Sequence, residues 1–176
     1  QQPGSPVTLE LAGRTIELNP GDEKTVFKTE FEDIETRLSL HRFAWLPASE
    51  ENIDADWIDL IWSSWCETYA QPDDSWVWHP YTASERAINM LVHARQYGFA
   101  GSHDTFRDSL VIHAENISKK LEYFGNHHTS NHMANNGRGL YLIGLWLGLE
   151  NATKLGAKIL LEEAQRIFTP TGILRE

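Results

Sequence analysis

The chain has 176 residues, of which 41% are apolar, and it carries a formal net charge of −10. A chain of this length and composition can form one ordinary domain with its own hydrophobic core. The acidic balance argues against non-specific binding to nucleic acid, which needs a basic face, and mildly against a polyanionic substrate.

The single cysteine, Cys66, excludes an internal disulfide and a zinc cluster of thiolates. No run of about 18 apolar residues occurs, so the sequence predicts no membrane span. The first residues lack an initiator methionine and the charged and apolar regions of a signal peptide. We expect that either a leader has been removed or the sequence is an excerpt from a longer chain.

The N-terminal segment, residues 1–50, is predicted to be extended or mixed. Residues 7–18 alternate apolar and polar side chains on either side of Ala12-Gly13, which indicates a β-hairpin. The first half of residues 26–46 is predicted to be extended, and the aromatic residues of its second half are expected to be buried.

Residues 51–176 are predicted to form antiparallel helices joined by short loops, so the expected fold class is mainly α. Apolar residues recur there at the spacing of one helix face. The five predicted helices cover residues 53–70, 82–99, 102–125, 133–150 and 151–169. A capping-box pattern, Thr82 with Glu85, marks the start of the second helix. Gly137 and Gly139 in the fourth helix are expected to allow close approach of a neighbouring helix.

The most polar stretch is NHHTSNHMANNGRGLY, residues 126–141, which precedes an apolar helix. Asn131, His132, Asn135 and Asn136 can present donors to an anion at a helix N-terminus, where free N–H groups and the helix dipole favour negative charge. An ordinary capping cluster explains the same composition.

A metal site is a further interpretation of this stretch. His128 and His132 are spaced i, i+4, which places two imidazoles on one helix face, and His127 could add a third ligand. The intervening residues lack the glutamate of a metalloprotease motif.

A second constellation lies in SWVWHPYTASERAIN, residues 75–89. Its aromatic side chains could form a stacking platform for a sugar ring, with Arg86 one helical turn beyond. The residues concerned are Trp76, Trp78, His79 and Tyr81. The alternative is a loop folded onto the core by its aromatic residues, with Arg86 paired to a carboxylate.

The order of three segments resembles the heparinase II/III-like polysaccharide lyases, which are related to oligoalginate lyases. These segments are WHPYTASERAIN, HAENISKKLEYFGNHHTSNHMANNGRGLYLIGLWLG and GAKILLEEAQRIFTPTGILRE. The resemblance covers about residues 76–176 and is weaker over 26–75. It implies an incomplete (α/α) toroid, followed in longer family members by a β-sandwich domain, so the chain is interpreted as an N-terminal fragment.

The resemblance also implies β-elimination at a uronic acid. Asn131 and His132 match the family's Asn-His pair, which neutralises the substrate carboxylate and so stabilises the charge that develops when the C5 proton leaves. The family's acid–base tyrosine is expected just past Glu176, and a second histidine further on. The fragment alone is therefore expected to be inactive.

The predicted catalytic residues are thus Asn131 and His132. The predicted substrate contacts are His79, Tyr81, Arg86, Asn135, Asn136 and Trp78. We expect an acidic polysaccharide partner, no metal and no other cofactor, and the resemblance favours a periplasmic or secreted location. The rival function is a non-catalytic helical module that binds acidic polysaccharide during capsule or exopolysaccharide assembly. The sequence leaves the oligomeric state open.

Overall fold

The N-terminus forms the predicted hairpin. A computed structural model describes residues 4–48, 53–98, 102–123, 131–167 and 171–172. Strands β1 (Val7–Leu11) and β2 (Arg14–Leu18) pair antiparallel, with Val7 opposite Leu18. Gly13 in the turn has φ 70°, a left-handed conformation that glycine adopts without steric cost. Along β1 buried and exposed side chains alternate, which is the pattern that predicted the hairpin.

Two short helices follow in a region that was predicted to begin as an extended segment. They are α1 (Ile34–His41) and α2 (Trp45–Ala48), preceded by two 3₁₀ turns over residues 22–28. The Asp33 carboxylate caps α1 by accepting from the Glu35 amide at 3.0 Å. The extended prediction for the first half of residues 26–46 was therefore wrong at the 3₁₀ turn over residues 26–28 and at the first residues of α1.

The five longer helices predicted from periodicity are confirmed. They are α3 (Ala55–Thr68), α4 (Pro80–Tyr97), α5 (His103–Lys119), α6 (Asn131–Leu147) and α7 (Glu150–Ile167). Among the described helices, none is long and apolar enough to cross a membrane.

The start of α4 differs from the predicted capping box. The helix begins at Pro80, with His79 at the N-cap position and no hydrogen bond from a side chain to the helix end. Proline suits the first helical position because its missing N–H would have no partner there and its φ is already helical. Thr82 and Glu85 thus lie inside the helix, and the capping-box prediction was wrong.

Glycines bring α6 and α7 into close contact, as predicted for Gly137. A Cβ built on Gly156 of α7 would lie 2.6 Å from the Gly137 carbonyl oxygen and 2.8 Å from the Tyr141 Cα. Gly139 faces α4 instead, where a Cβ would lie 3.0 Å from the Ser84 Cβ. Helix α6 is therefore packed directly against both α4 and α7.

One hydrophobic cluster joins the hairpin to the long helices. It contains Leu9 of β1, Trp57 of α3, Ile117 of α5 and Leu140 of α6. The turn of the hairpin is tied to α1, since the Thr36 hydroxyl donates to the Ala12 carbonyl at 2.7 Å. The hairpin, residues 7–18, therefore shares a core with the helices.

Candidate functional site

The predicted polar residues meet around a carboxylate that sequence reasoning did not single out. Glu122 follows α5, and its side chain is 10% exposed. Its Oε1 lies 2.8 Å from His132 Nδ1 and 3.3 Å from His79 Nε2. Because His79 precedes the first residue of α4 and His132 is the second residue of α6, the cluster lies where these two helices begin.

His132 is the more exposed imidazole, at 41% of its side-chain surface. An ionised carboxylate can only accept hydrogen bonds, so the 2.8 Å contact with Glu122 places a proton on His132 Nδ1. The Tyr81 ring lies 4.4 Å from the imidazole, measured between centroids. With Nδ1 engaged and one side of the ring packed, Nε2 is the nitrogen left for a ligand.

His79 is the second imidazole and has a different electrostatic environment. Burial lowers its pKa, and the charges of His132, Arg42 and Lys120 act in the same direction, while Glu122 opposes them. The exposed Trp76 ring lies 5.1 Å from the His79 ring. An aromatic ring and an imidazole are therefore presented together beside the Glu122–His132 pair.

Tyr81 is half-buried between the imidazole of His132 and the guanidinium of Arg42. The guanidinium carbon of Arg42 lies 5.0 Å from the centre of the Tyr81 ring, a cation–π contact. Burial raises the pKa of the Tyr81 hydroxyl, and the charge of Glu85 adds to this effect. Tyr81 thus remains a neutral phenol near pH 7.

The three asparagines of the site differ in exposure. Asn131 is exposed, and Asn135 is partly buried with its Nδ2 3.5 Å from the Tyr81 carbonyl oxygen. Asn136 is fully buried and does not reach the surface, so the prediction that it contacts substrate is corrected.

The buried Asn136 amide can lie in two orientations. In one, Nδ2 donates to Glu122 Oε2 at 3.3 Å and Oδ1 accepts from the Ser84 hydroxyl at 3.2 Å. In the other, Nδ2 donates to the Pro80 carbonyl, the Ser84 hydroxyl and the His132 carbonyl, each at 3.2 Å. The second orientation gives the Asn136 nitrogen three acceptors, whereas the first turns Oδ1 toward the Pro80 and His132 carbonyl oxygens.

Arg86 and Trp78 are core residues, so the predicted substrate contacts are corrected at both positions. Arg86 is 0% exposed and Trp78 is 1% exposed. The Arg86 guanidinium donates from Nε to His113 Nε2 at 2.8 Å and from Nη1 to the His41 and Val77 carbonyls. Such a buried side chain cannot contact a polymer bound at the surface.

Aromatic faces and neutral acceptors, rather than a carboxylate, surround the Arg86 cation among the described residues. Its Cζ lies 3.9 Å from the Trp65 ring centre and 5.1 Å from that of Trp78. Burial lowers the Arg86 pKa to about 9. The expectation of a buried carboxylate partner is not met among the described ion pairs.

His127 and His128, the ligands of the alternative metal interpretation, lie outside the described residues. Within the described ranges, no group of three or more His, Cys, Asp or Glu side chains is arranged to hold a metal ion. Of the predicted site residues, the structure brings together His79, Tyr81, Asn131, His132 and Asn135 at or near the surface and leaves Arg86, Trp78 and Asn136 buried.

Sequence reasoning missed Glu122. It is one acidic residue at the end of an amphipathic helix, where a solvated side chain is the ordinary expectation. The available signal was its position ten residues before His132. A connection of that length is short enough to bring the two side chains together.

No family model, curated protein or solved structure matches the chain. The resemblance to heparinase II/III-like lyases is a resemblance of sequence segments alone.

Proposed function

We propose that the chain is the helical part of a lyase that cleaves uronic-acid-containing polysaccharide by β-elimination. The observation that carries the proposal is the placement of His132, with Nδ1 held by Glu122 at 2.8 Å and Asn131 exposed beside it in the first described turn of α6. These two residues are the ones that the family resemblance assigns to the substrate carboxylate.

The chemistry needs such a pair. A base takes the C5 proton, the electrons of the C–H bond form the C4–C5 double bond, and the C4–O glycosidic bond breaks as its oxygen takes a proton. While the uronate carboxylate is fully charged, the C5 proton is too weakly acidic. The Asn131 amide and the Nε2–H of a doubly protonated His132, whose Nδ1–H stays with Glu122, donate to the carboxylate and stabilise the negative charge that builds up on it.

The surroundings supply further support. The first N–H groups of a helix have no partner inside the helix and favour an anion nearby, and α4 has no side-chain cap on its end. Trp76 is 58% exposed and lies against His79, so it offers a stacking face for a sugar ring. We assign Trp76, His79 and Tyr81 to the groove beside the Asn131–His132 pair.

The proposed architecture is an incomplete (α/α) toroid. Helix α4 packs against α6, while α5 and α7 each follow one of these helices in the chain and pack against it. In a toroid, every second helix along the chain is an inner helix, and the inner helices are neighbours that begin on the same side. Helices α4 and α6 fit this arrangement. The site then lies at the end of the toroid where the inner helices begin.

The test uses both this chain and a longer chain that continues past Glu176. Alginate and hyaluronan oligosaccharides are supplied, binding is followed by calorimetry, and cleavage is followed by absorbance near 232 nm from the unsaturated product. We expect the longer protein to cleave one uronan and Asn131→Ala to lower kcat by about 10²–10³, the effect of losing one donor to a developing oxyanion.

A matched control is His103→Ala. His103 is an exposed histidine in the first turn of α5, the opposite end of that 17-residue helix from Glu122. It should leave binding and cleavage unchanged. If the longer protein binds a uronan tightly and yields no unsaturated product, the lyase proposal is wrong and the non-catalytic binding module takes its place; if no uronan binds, both are wrong.

A further inference from the structure

Glu122 neither gives nor takes a proton in the β-elimination above, yet its carboxylate is the centre of the site. Its carboxylate is nearly buried and receives contacts from two helices: His79 at the start of α4, and His132 and Asn136 of α6. A carboxylate beside a site for a carboxylate ligand is unfavourable by charge alone. Its presence there calls for a function that outweighs this repulsion.

We infer that Glu122 is a positioning residue that holds the Nδ1–H of His132, which fixes the ring so that Nε2 faces the ligand in both the neutral and the doubly protonated imidazole. The inference deepens the proposed function and rests on it for the identity of the ligand. A neutral imidazole carries its proton on either nitrogen, and the choice is set by the partner of the other nitrogen.

The contacts behind Glu122 support a positioning role. Glu122 Oε1 accepts from His132 Nδ1 at 2.8 Å, and Glu122 Oε2 lies 3.3 Å from the side-chain amide of Asn136. Asn136 is fully buried, Glu122 is 10% exposed and His132 is 41% exposed. Glu122 therefore lies between the buried Asn136 side chain and the ligand-facing imidazole of His132.

The loop that carries Trp76 and His79 is also tied to the Glu122 segment. Lys120 Nζ donates to the Asp73 carbonyl and to Asp74 Oδ1, both at 2.8 Å. This holds residues 73–79 against the end of α5 and keeps His79 within 3.3 Å of Glu122. The position of both imidazoles thus depends on the two residues Lys120 and Glu122.

A conservative substitution separates positioning from charge. In Glu122→Gln, the glutamine oxygen can accept from His132 while its NH₂ group faces Asn136. The Asn136 oxygen can accept from this group in the orientation in which the Asn136 nitrogen has acceptors at 3.2 Å on Pro80, Ser84 and His132. Glu122→Gln is therefore expected to fold and to retain the His132 tautomer, whereas Glu122→Ala removes the acceptor.

The experiment is long-range ¹H–¹⁵N spectroscopy of the histidine side chains in the ligand-free chain. At a pH where His132 is neutral, the wild type and Glu122→Gln should carry the His132 proton on Nδ1, and Glu122→Ala should shift it to Nε2. The exposed Glu115, which pairs only with Lys119 among the described residues, provides the control Glu115→Ala, which should match the wild type.

Binding of the uronan oligosaccharide gives the second readout. Glu122→Ala should weaken it about 10-fold or more, and Glu122→Gln should restore it to within about 3-fold of the wild type, because a wrongly oriented histidine loses its function while a correctly held one keeps it. A wild-type proton on Nε2, or Glu122→Ala with an unchanged tautomer, overturns the inference. Since the spectra need no ligand, this result is independent of whether any uronan binds. If Glu122→Ala fails to fold, the wild-type tautomer and the Glu122→Gln spectrum still decide.

Discussion

Acidification from pH 7 to pH 5 should destabilise this protein through two buried neutral histidines. His41 and His113 are both 0% exposed. Burial lowers the pKa of His41 to about 3, with the charges of Arg86 and Arg37 adding to the effect. Burial, and then the charge of Arg86, also holds the pKa of His113 well below its usual value.

The geometry explains why His113 stays neutral. Its Nε2 accepts from Arg86 Nε at 2.8 Å, which requires a lone pair on that nitrogen, and its Nδ1 donates to the Ser109 carbonyl at 2.7 Å. Protonation would break the bond to Arg86 and bring two cations into contact. The folded state therefore rejects a proton that the unfolded chain accepts near pH 6.5.

The direction and size of the pH effect on stability follow from this difference in proton binding. Below pH 6.5 protons bind the unfolded chain in preference, so stability is lost as pH falls from 6.5 toward 3. Each histidine that is protonated in the unfolded chain but stays neutral in the folded state lowers the free energy of unfolding by about 2 kcal/mol between pH 7 and pH 5. The pair should cost about 4 kcal/mol, a large part of the 5–15 kcal/mol typical of a folded domain.

The assay is urea denaturation at pH 7, 6 and 5, followed by tryptophan fluorescence. The comparison variant is His41→Phe, which keeps an aromatic ring beside Phe27 and Tyr69, whose centres lie 5.4 and 5.1 Å from that of His41. Its loss between pH 7 and pH 5 should fall to about 2 kcal/mol. Burial of His79 and His93 acts in the same direction in both proteins and cancels in the comparison. An unchanged free energy of unfolding in the wild type, or the same loss in both proteins, would refute the reasoning.

Three further substitutions test the packing. Gly156→Ala should lower the free energy of unfolding by about 2 kcal/mol in urea denaturation, because the new Cβ would meet the α6 backbone and overpacking outweighs the gain in helix propensity. The control Gly139→Ala, whose Cβ would lie 3.0 Å from the Ser84 side chain, should change the free energy of unfolding by less than about 1 kcal/mol. Equal losses in the two variants would contradict the close α6–α7 contact. Arg86→Lys should lower the free energy of unfolding by about 3 kcal/mol in the same assay, because an ammonium cannot bond to His113 and two carbonyls while stacking on Trp65. A free energy of unfolding within about 1 kcal/mol of the wild type would count against a structural role for Arg86.

The regular parts of the fold were predictable because local spacing determines them. Alternation around Ala12-Gly13 gave the hairpin, and helical periodicity gave α3 to α7. Gly137 was predicted to allow close helix approach, and its Cβ would lie 2.7 Å from Ile159 Cγ2 of α7. Each of these features depends on neighbours within a few residues or on the absence of a side chain.

The centre of the site was not predictable in the same way. The partners of Glu122 lie 10, 14 and 43 residues away, and no local pattern shows which side chains will meet. Arg86 was misassigned for a related reason, since an arginine one turn into a helix is usually exposed. Its burial depends on carbonyls of His41 and Val77 and on Trp65, which only the tertiary structure brings to it.

The central claim is that the start of α6 binds a uronate carboxylate through Asn131 and His132. The most direct measurement compares, by calorimetry on this chain, the affinity for a uronan oligosaccharide with that for its methyl ester, in the wild type and in Asn131→Ala and His132→Ala. We expect the wild type to prefer the charged oligosaccharide by about 10-fold or more, because the ester loses charge-assisted hydrogen bonds, and each variant to lose this preference. Equal affinity for the acid and its ester in the wild type, or an undiminished preference in both variants, would contradict it.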